Sequence, residues 1–187
     1  MKKILQLIVP LCLMVLNSCA SSQKISDDNC YLKKVSNVEL DEIHKDFSIN
    51  LPNNWYTSYG AHCVLFHAPK ELRDSEVIYY ANELFLSKYS SDNKSIEKIK
   101  DEHIKNTRYN KTINTKLFVY DFSHKKYGDS FVLKYGKIWN GINYTVFNVY
   151  IKYKENIYYI SYSSHNEYYE KYLPEVLKII ESLEIKE

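Results

Sequence analysis

The chain has 187 residues, 45% hydrophobic and 26% charged, with 25 Lys and Arg against 23 Asp and Glu. That length suits one domain with a real core. A net charge of +2 without a basic stripe removes the electrostatic footprint of a nucleic-acid binder, and four glycines, none clustered, exclude a Gly-rich phosphate loop.

Met1, Lys2 and Lys3 form a short positive start, and residues 4–16 are apolar apart from Gln6 and Pro10. A helix needs about 20 apolar residues to cross a bilayer, so this run is too short for a permanent span. Its length and flanks fit a secretory signal. It closes on LNSCASS, in which Leu16-Asn17-Ser18-Cys19 resembles the lipobox of bacterial lipoproteins. The resemblance implies a lipid on the Cys19 sulfur, cleavage before Cys19 and acylation of the new amino group, with small Ser18 leaving room for the peptidase. An ordinary signal peptide with an incidental cysteine is the competing reading. Three acyl chains hold far more firmly than one, so the expected anchor is the membrane through this N-terminal lipid. The protein then sits in the cell envelope, facing away from the cytoplasm. Ala20 stands where an Asp can retain a lipoprotein in the inner membrane, which favours the outer membrane; the periplasmic and exterior faces are both open. Without Lys2 and Lys3 the remaining charges balance.

The expected organisation is a signal peptide over 1–18, a lipidated N-terminus and polar tether over 19–30, and one domain over 31–187. Cys12 leaves with the signal, so Cys30 and Cys63 are the cysteines left over. Outside the cytoplasm they are a candidate disulfide, against two separate thiols. Residues 35–46 could hold a short helical turn. In FSINLPNNW, Phe47, Ile49 and Leu51 alternate with polar residues, the period of a half-buried strand, before Pro52-Asn53-Asn54 breaks it. Trp55 is expected to plug the core just after this turn. Residues 62–67 (HCVLFH) read as a strand stopped by Ala68-Pro69, and residues 82–87 as a further strand. Over 92–106 the period changes: Ile96, Ile99 and His103 or Ile104 recur at helical spacing, with Asn93 or Ser95 as caps.

The second half reads as a meander of strands over 115–123, 130–139, 142–154 and 156–163. Asn140-Gly141 and Glu155-Asn156 mark short turns, which imply antiparallel hairpins. In the third of these strands Tyr144, Val146 and Tyr150 share one face, while Phe147, Val149, Ile151 and Tyr153 share the other. Both faces are apolar, so this strand is expected to be central and covered on both sides. Residues 166–183 form an amphipathic helix with a stripe of Tyr169, Tyr172, Leu173, Val176, Ile179, Ile180 and Leu183. Pro174 within it predicts a kink or a restart.

The start, FSINLPNNW, and the end, YLPEVLKIIESLEI, resemble the two ends of PsbP-like domains. That family includes the photosystem II extrinsic protein, a Ran-binding nuclear transport factor and small bacterial lipoproteins related to DcrB. The resemblance spans about residues 47–185. It implies an α+β fold, a twisted antiparallel sheet with helices packed on its faces. It also implies an assembly, docking or accessory role without a shared catalytic set; no family functional residue carries over.

The residues themselves agree on the lack of catalytic motifs. Cys63 and His67 are four positions apart, roughly 13 Å along a strand, too far for one zinc to bind both. No Gly-x-Ser-x-Gly elbow is present. The expectation is therefore a non-enzyme with no metal and no cofactor. Its partners are the membrane and an unidentified envelope protein. An immunity lipoprotein against a secreted toxin is one alternative. The 19 tyrosines suggest another, glycan or small-molecule capture on a Tyr-rich face, although codon bias in an AT-rich genome is the simpler and preferred reading of their number. Tyr56 and Tyr59 are the candidate contact surface, read as exposed aromatics beside a loop.

Overall fold

The computed structural model describes residues 45–59, 65–72 and 82–186. Cys19, Cys30, His62 and Cys63 lie outside them, as does nearly all of the helical turn expected over 35–46. In chain order the elements are β1 (Phe47–Ser48), β2 (Trp55–Tyr59), β3 (Leu65–Pro69), a 3-10 turn (Lys70–Leu72), β4 (Asn82–Ser90), α1 (Ile96–Arg108), β5 (Phe118–His124), β6 (Gly128–Trp139), β7 (Ile142–Tyr153), β8 (Asn156–His165), α2 (Asn166–Glu181) and β9 (Glu184–Ile185). Among the described residues, seven strands form one antiparallel sheet in the order β2-β3-β4-β8-β7-β6-β5. β1 and β9 pair separately. The fold is α+β, with one helix on each face of the large sheet.

Paired residues in an antiparallel ladder share a face, so the register assigns every side chain. Leu84, Tyr162, Phe147 and Lys134 form one cross-strand row, and Leu86, Ile160, Val149 and Val132 the next. Against this face α2 packs Tyr169, Tyr172, Val176, Ile179 and Ile180. Each such aliphatic contributes about 1.5–3 kcal/mol by leaving water. The opposite face carries Phe131, Leu133, Tyr150 and Ile157, covered by Ile99 of α1. β7 is therefore central and covered on both sides, as its two apolar faces imply.

Several boundaries differ from the sequence reading, each for a local reason. The strand expected over 47–51 is only two residues long, because its partner β9 is equally short. Past it, the Asn50 N–H turns to Ser182 Oγ at 2.8 Å. β3 does not stop at Ala68-Pro69 but runs through Pro69, which pairs with Trp55 at the end of the ladder, where a missing N–H is tolerated. Helix α1 starts late because Asp92 and Asn93 have φ of 51° and 57°; Ser95 caps it by accepting from the Lys98 N–H. The β7–β8 turn falls on Lys154-Glu155 rather than Glu155-Asn156, and Lys154 takes the positive φ of 52°. β5 begins at Phe118, not near 115. Residues 112–114 instead bond to the far part of β6, Asn114 N to Gly136 O at 3.1 Å and Ile138 N to Thr112 O at 2.9 Å. Gly136 permits this approach, since a Cβ there would meet Thr115 Cγ2 at 2.7 Å. Pro174 lies inside α2 without a restart, because burial of Tyr169, Tyr172, Val176 and Ile179 on both sides holds one continuous helix.

The two ends of the domain clasp. β1 pairs with β9, and the Lys186 N–H donates to the Asp46 carbonyl at 2.9 Å. Trp55 is buried after its turn, as expected. Its indole N–H donates to Glu175 of α2, and its ring meets Tyr172 edge-on at 6.4 Å. The stretches FSINLPNNW and YLPEVLKIIESLEI are thus one structural unit.

Candidate functional site

The residues singled out from the sequence are placed as follows. Trp55–Tyr59 is a strand rather than a loop, and β2 is an outer strand of the sheet. Tyr56 is half-buried and meets Phe66 of β3 edge-on at 6.4 Å. Tyr59 closes β2, and its side chain falls outside the described residues. His67 is buried with its Nδ1 2.8 Å from Thr57 Oγ1, a structural position. Among the described residues no three His, Cys, Asp or Glu side chains come together as a metal site. The β5–β6 turn around Tyr127 is tied down. Tyr127 packs on His124 at 5.0 Å and its hydroxyl accepts from the Ile185 N–H at 2.6 Å.

Many of the tyrosines point inward. Tyr150 stacks on Phe131 at 4.5 Å and packs at a tilt against His103 of α1 at 4.4 Å and Tyr159 at 4.9 Å. The Tyr89 hydroxyl sits 2.9 Å from His103 Nε2. Burial pushes the Tyr89 and Tyr159 hydroxyls up to about 12 and Tyr150 higher still. The Tyr150 and Tyr159 rings act as core, while Tyr89 stays partly exposed at its margin. Burial also holds His103 below the ordinary imidazole value of 6.5, opposed by Glu102 and reinforced by Lys94. The sign follows from linkage. Above pH 6.5 the ring is neutral folded and unfolded; below it the unfolded chain takes up a proton that the folded chain resists, so stability falls with pH. The urea midpoint should therefore drop between about pH 7.5 and about pH 5.5, and His103→Gln should flatten that slope. An unchanged slope in His103→Gln would assign it to other groups.

Two features remain on the surface. The first is the outer strand β5. Phe118, Val119 and Tyr120 are 44%, 38% and 46% exposed, and the Phe118 and Tyr120 rings stack at 6.3 Å. Asp121 is paired with Lys100 of α1 at 3.1 Å. β5 pairs with β6 on one side, and among the described residues no strand lies on its other side. Native sheets usually blunt such an edge with charge, Pro or a bulge; here three adjacent apolar side chains flank it.

The second is a cavity of about 200 Å³ lined by Glu83, Lys137, Trp139, Tyr144 and Ser163. Strand order builds it. Glu83 of β4 pairs with Ser163 of β8, and Lys137 of β6 pairs with Tyr144 of β7. The two charges therefore stand on the same sheet face with β8 and β7 between them and two positions out of register, their backbones about 16 Å apart. Burial pushes the Glu83 carboxyl up and the Lys137 ammonium down, and each opposes the other's shift through its charge. Lys137 Nζ lies 5.7 Å from the Tyr144 ring. Trp139 is half-exposed at the rim. The sequence analysis singled out neither charge. A signal was present: Lys137 continues the inward row Phe131, Leu133, Tyr135, where a charge is out of place.

No family model and no curated protein matches the chain. Solved structures do. LpqN of Mycobacterium tuberculosis, described as involved in cell envelope biogenesis, is 10% identical with a TM-score of 0.55, covering 75% of this chain and 83% of that one. Cyanobacterial PsbP (CyanoP) from Synechocystis sp. PCC 6803 is 9% identical with a TM-score of 0.50, covering 83% of this chain and 99% of that one. At these identities the likeness is one of fold, and the fold is PsbP-like.

Proposed function

We propose that this chain is a non-catalytic accessory module of the bacterial cell envelope, held to the outer membrane by lipid on Cys19. It works by docking an envelope protein. The observation that carries the reading is the apolar outer strand β5 on a domain whose sequence opens with a lipobox-like LNSC. The strand's outward backbone groups offer a ladder to an extended segment of the partner, and Phe118, Val119 and Tyr120 offer it apolar contact. The envelope role described for LpqN, which shares the fold, agrees with this reading. Tyr56 and Tyr59 on the opposite outer strand are the second candidate surface.

Crosslinked pulldown from native envelopes tests the proposal. The full chain should recover a partner. The double substitution Phe118→Lys and Tyr120→Lys should reduce recovery at least about tenfold, since it buries charge against an apolar segment. Tyr56→Ala should leave recovery unchanged. Loss with Tyr56→Ala and retention with the β5 variant would move the contact to β2. Recovery unaffected by both would sink strand docking.

A further inference from the structure

The cavity between β4 and β6 holds two opposite charges that do not meet. Glu83 and Lys137 feel one another's field, yet neither has an ion-pair or hydrogen-bond partner among the described residues. Similar side chains elsewhere in the protein do close, such as Lys94 with Glu102 at 2.8 Å and Lys125 with Glu181 at 3.0 Å. Those pairs lie on the surface, where water makes closure nearly indifferent. At Glu83 and Lys137 the balance is reversed. Both groups are partly removed from water, which penalises each charged form, and among the described residues neither regains the loss through direct contact. Two separately desolvated charges facing one cavity are stabilised by whatever brings the complementary charges between them.

From this arrangement we propose that the cavity binds a small zwitterion, an organic molecule with an ammonium and a carboxylate such as an amino acid or short peptide. The ammonium sits on the Glu83 carboxylate and the carboxylate on the Lys137 ammonium. Ser163 and Tyr144, on the two strands between, form the floor beneath the molecule's backbone. Trp139 at the rim covers its apolar part. A volume of about 200 Å³ admits a ligand of this size. The wall charges also set selectivity. A ligand with only one charge leaves the opposite wall partly desolvated and without its contact, so it gains one contact and relieves one penalty instead of two. The cavity lies between β4 and β6 and includes no residue of β5, so it does not depend on the docking proposal.

The test uses the full chain in detergent and the emission of Trp139, with Trp139→Phe reporting the background from buried Trp55. The probes are glycine, L-alanine, γ-aminobutyrate and the dipeptide Ala-Ala. Propionate and propylamine are the singly charged controls. At least one zwitterion should change the emission saturably below about 10 mM, and both controls should bind at least about tenfold more weakly. Glu83→Gln and Lys137→Met should each weaken the same zwitterion by about tenfold with an unchanged far-UV circular dichroism spectrum, which separates loss of the contact from loss of the fold. Absence of a saturable change for all four zwitterions would overturn the proposal. So would controls that bind equally well, or variants that bind like the parent.

Discussion

Trp55→Ala should lower the unfolding free energy by about 3–5 kcal/mol, the range for emptying a buried aromatic site. Trp55 is 4% exposed, and its neighbours on α2 are Tyr172, edge-on at 6.4 Å, and Glu175, which accepts the indole proton. The substitution removes ring volume from the core and also leaves the partly buried Glu175 carboxylate with the weaker Asn54 amide contact at 3.2 Å in place of the indole N–H. Because Trp55 follows β1 and Glu175 precedes β9, the loss falls on the clasp that joins the ends of the domain. Trp55→Phe keeps most of the ring and should cost about 1–3 kcal/mol, mainly through the lost charge-assisted hydrogen bond. Urea unfolding followed by far-UV circular dichroism reads both. A Trp55→Ala midpoint equal to the parent's would show that the two end motifs do not stabilise the fold through this contact.

Cys19→Ser should act in an all-or-none way on attachment. Each buried methylene contributes about 0.8 kcal/mol, so three acyl chains make release negligible and their absence makes attachment marginal. Grown with labelled palmitate, the parent should carry label, and its intact mass should lack residues 1–18. Cys19→Ser should carry none and keep its leader. A version beginning at Ala20 behind an ordinary secretory signal should be recovered soluble. A parent without label, cut at another position, would refute the anchor while leaving the zwitterion cavity and the β5 edge to be judged by their own tests.

How much of this was readable in one dimension depended on the range of the interaction. Amphipathic period is local, and it identified α2 from Tyr169, Tyr172, Val176, Ile179 and Ile180, all of which are buried. The alternation in β7 marked a two-faced central strand for the same reason, with Val149 and Ile151 against one helix and Tyr150 against the other. Asn140-Gly141 marked its turn because both residues take positive φ, 49° and 77°, a geometry those residue types favour. Boundaries slipped where a tertiary contact took over the backbone, as at Asn50, whose N–H goes to Ser182 Oγ. The tyrosine excess could not be divided between core and surface from composition. An inward ring and an outward ring have the same sequence signal in a strand, and Tyr144, Tyr150, Tyr158 and Tyr162 proved to be buried.

By itself, then, the sequence determined the element types, the antiparallel meander of the second half, the amphipathic closing helix and the lipobox-like start, since each is written in neighbouring residues. Tertiary structure alone decided which strands are outer and which charges meet. β4 pairs with β8 across the intervening α1, β5, β6 and β7, a long-range choice made by the packing of the whole sheet. That choice leaves β5 at the edge with Phe118 and Tyr120 exposed. It also sets Glu83 and Lys137 on opposite walls of one cavity, because two residues so far apart in the chain share a face only once the strands between them are in register.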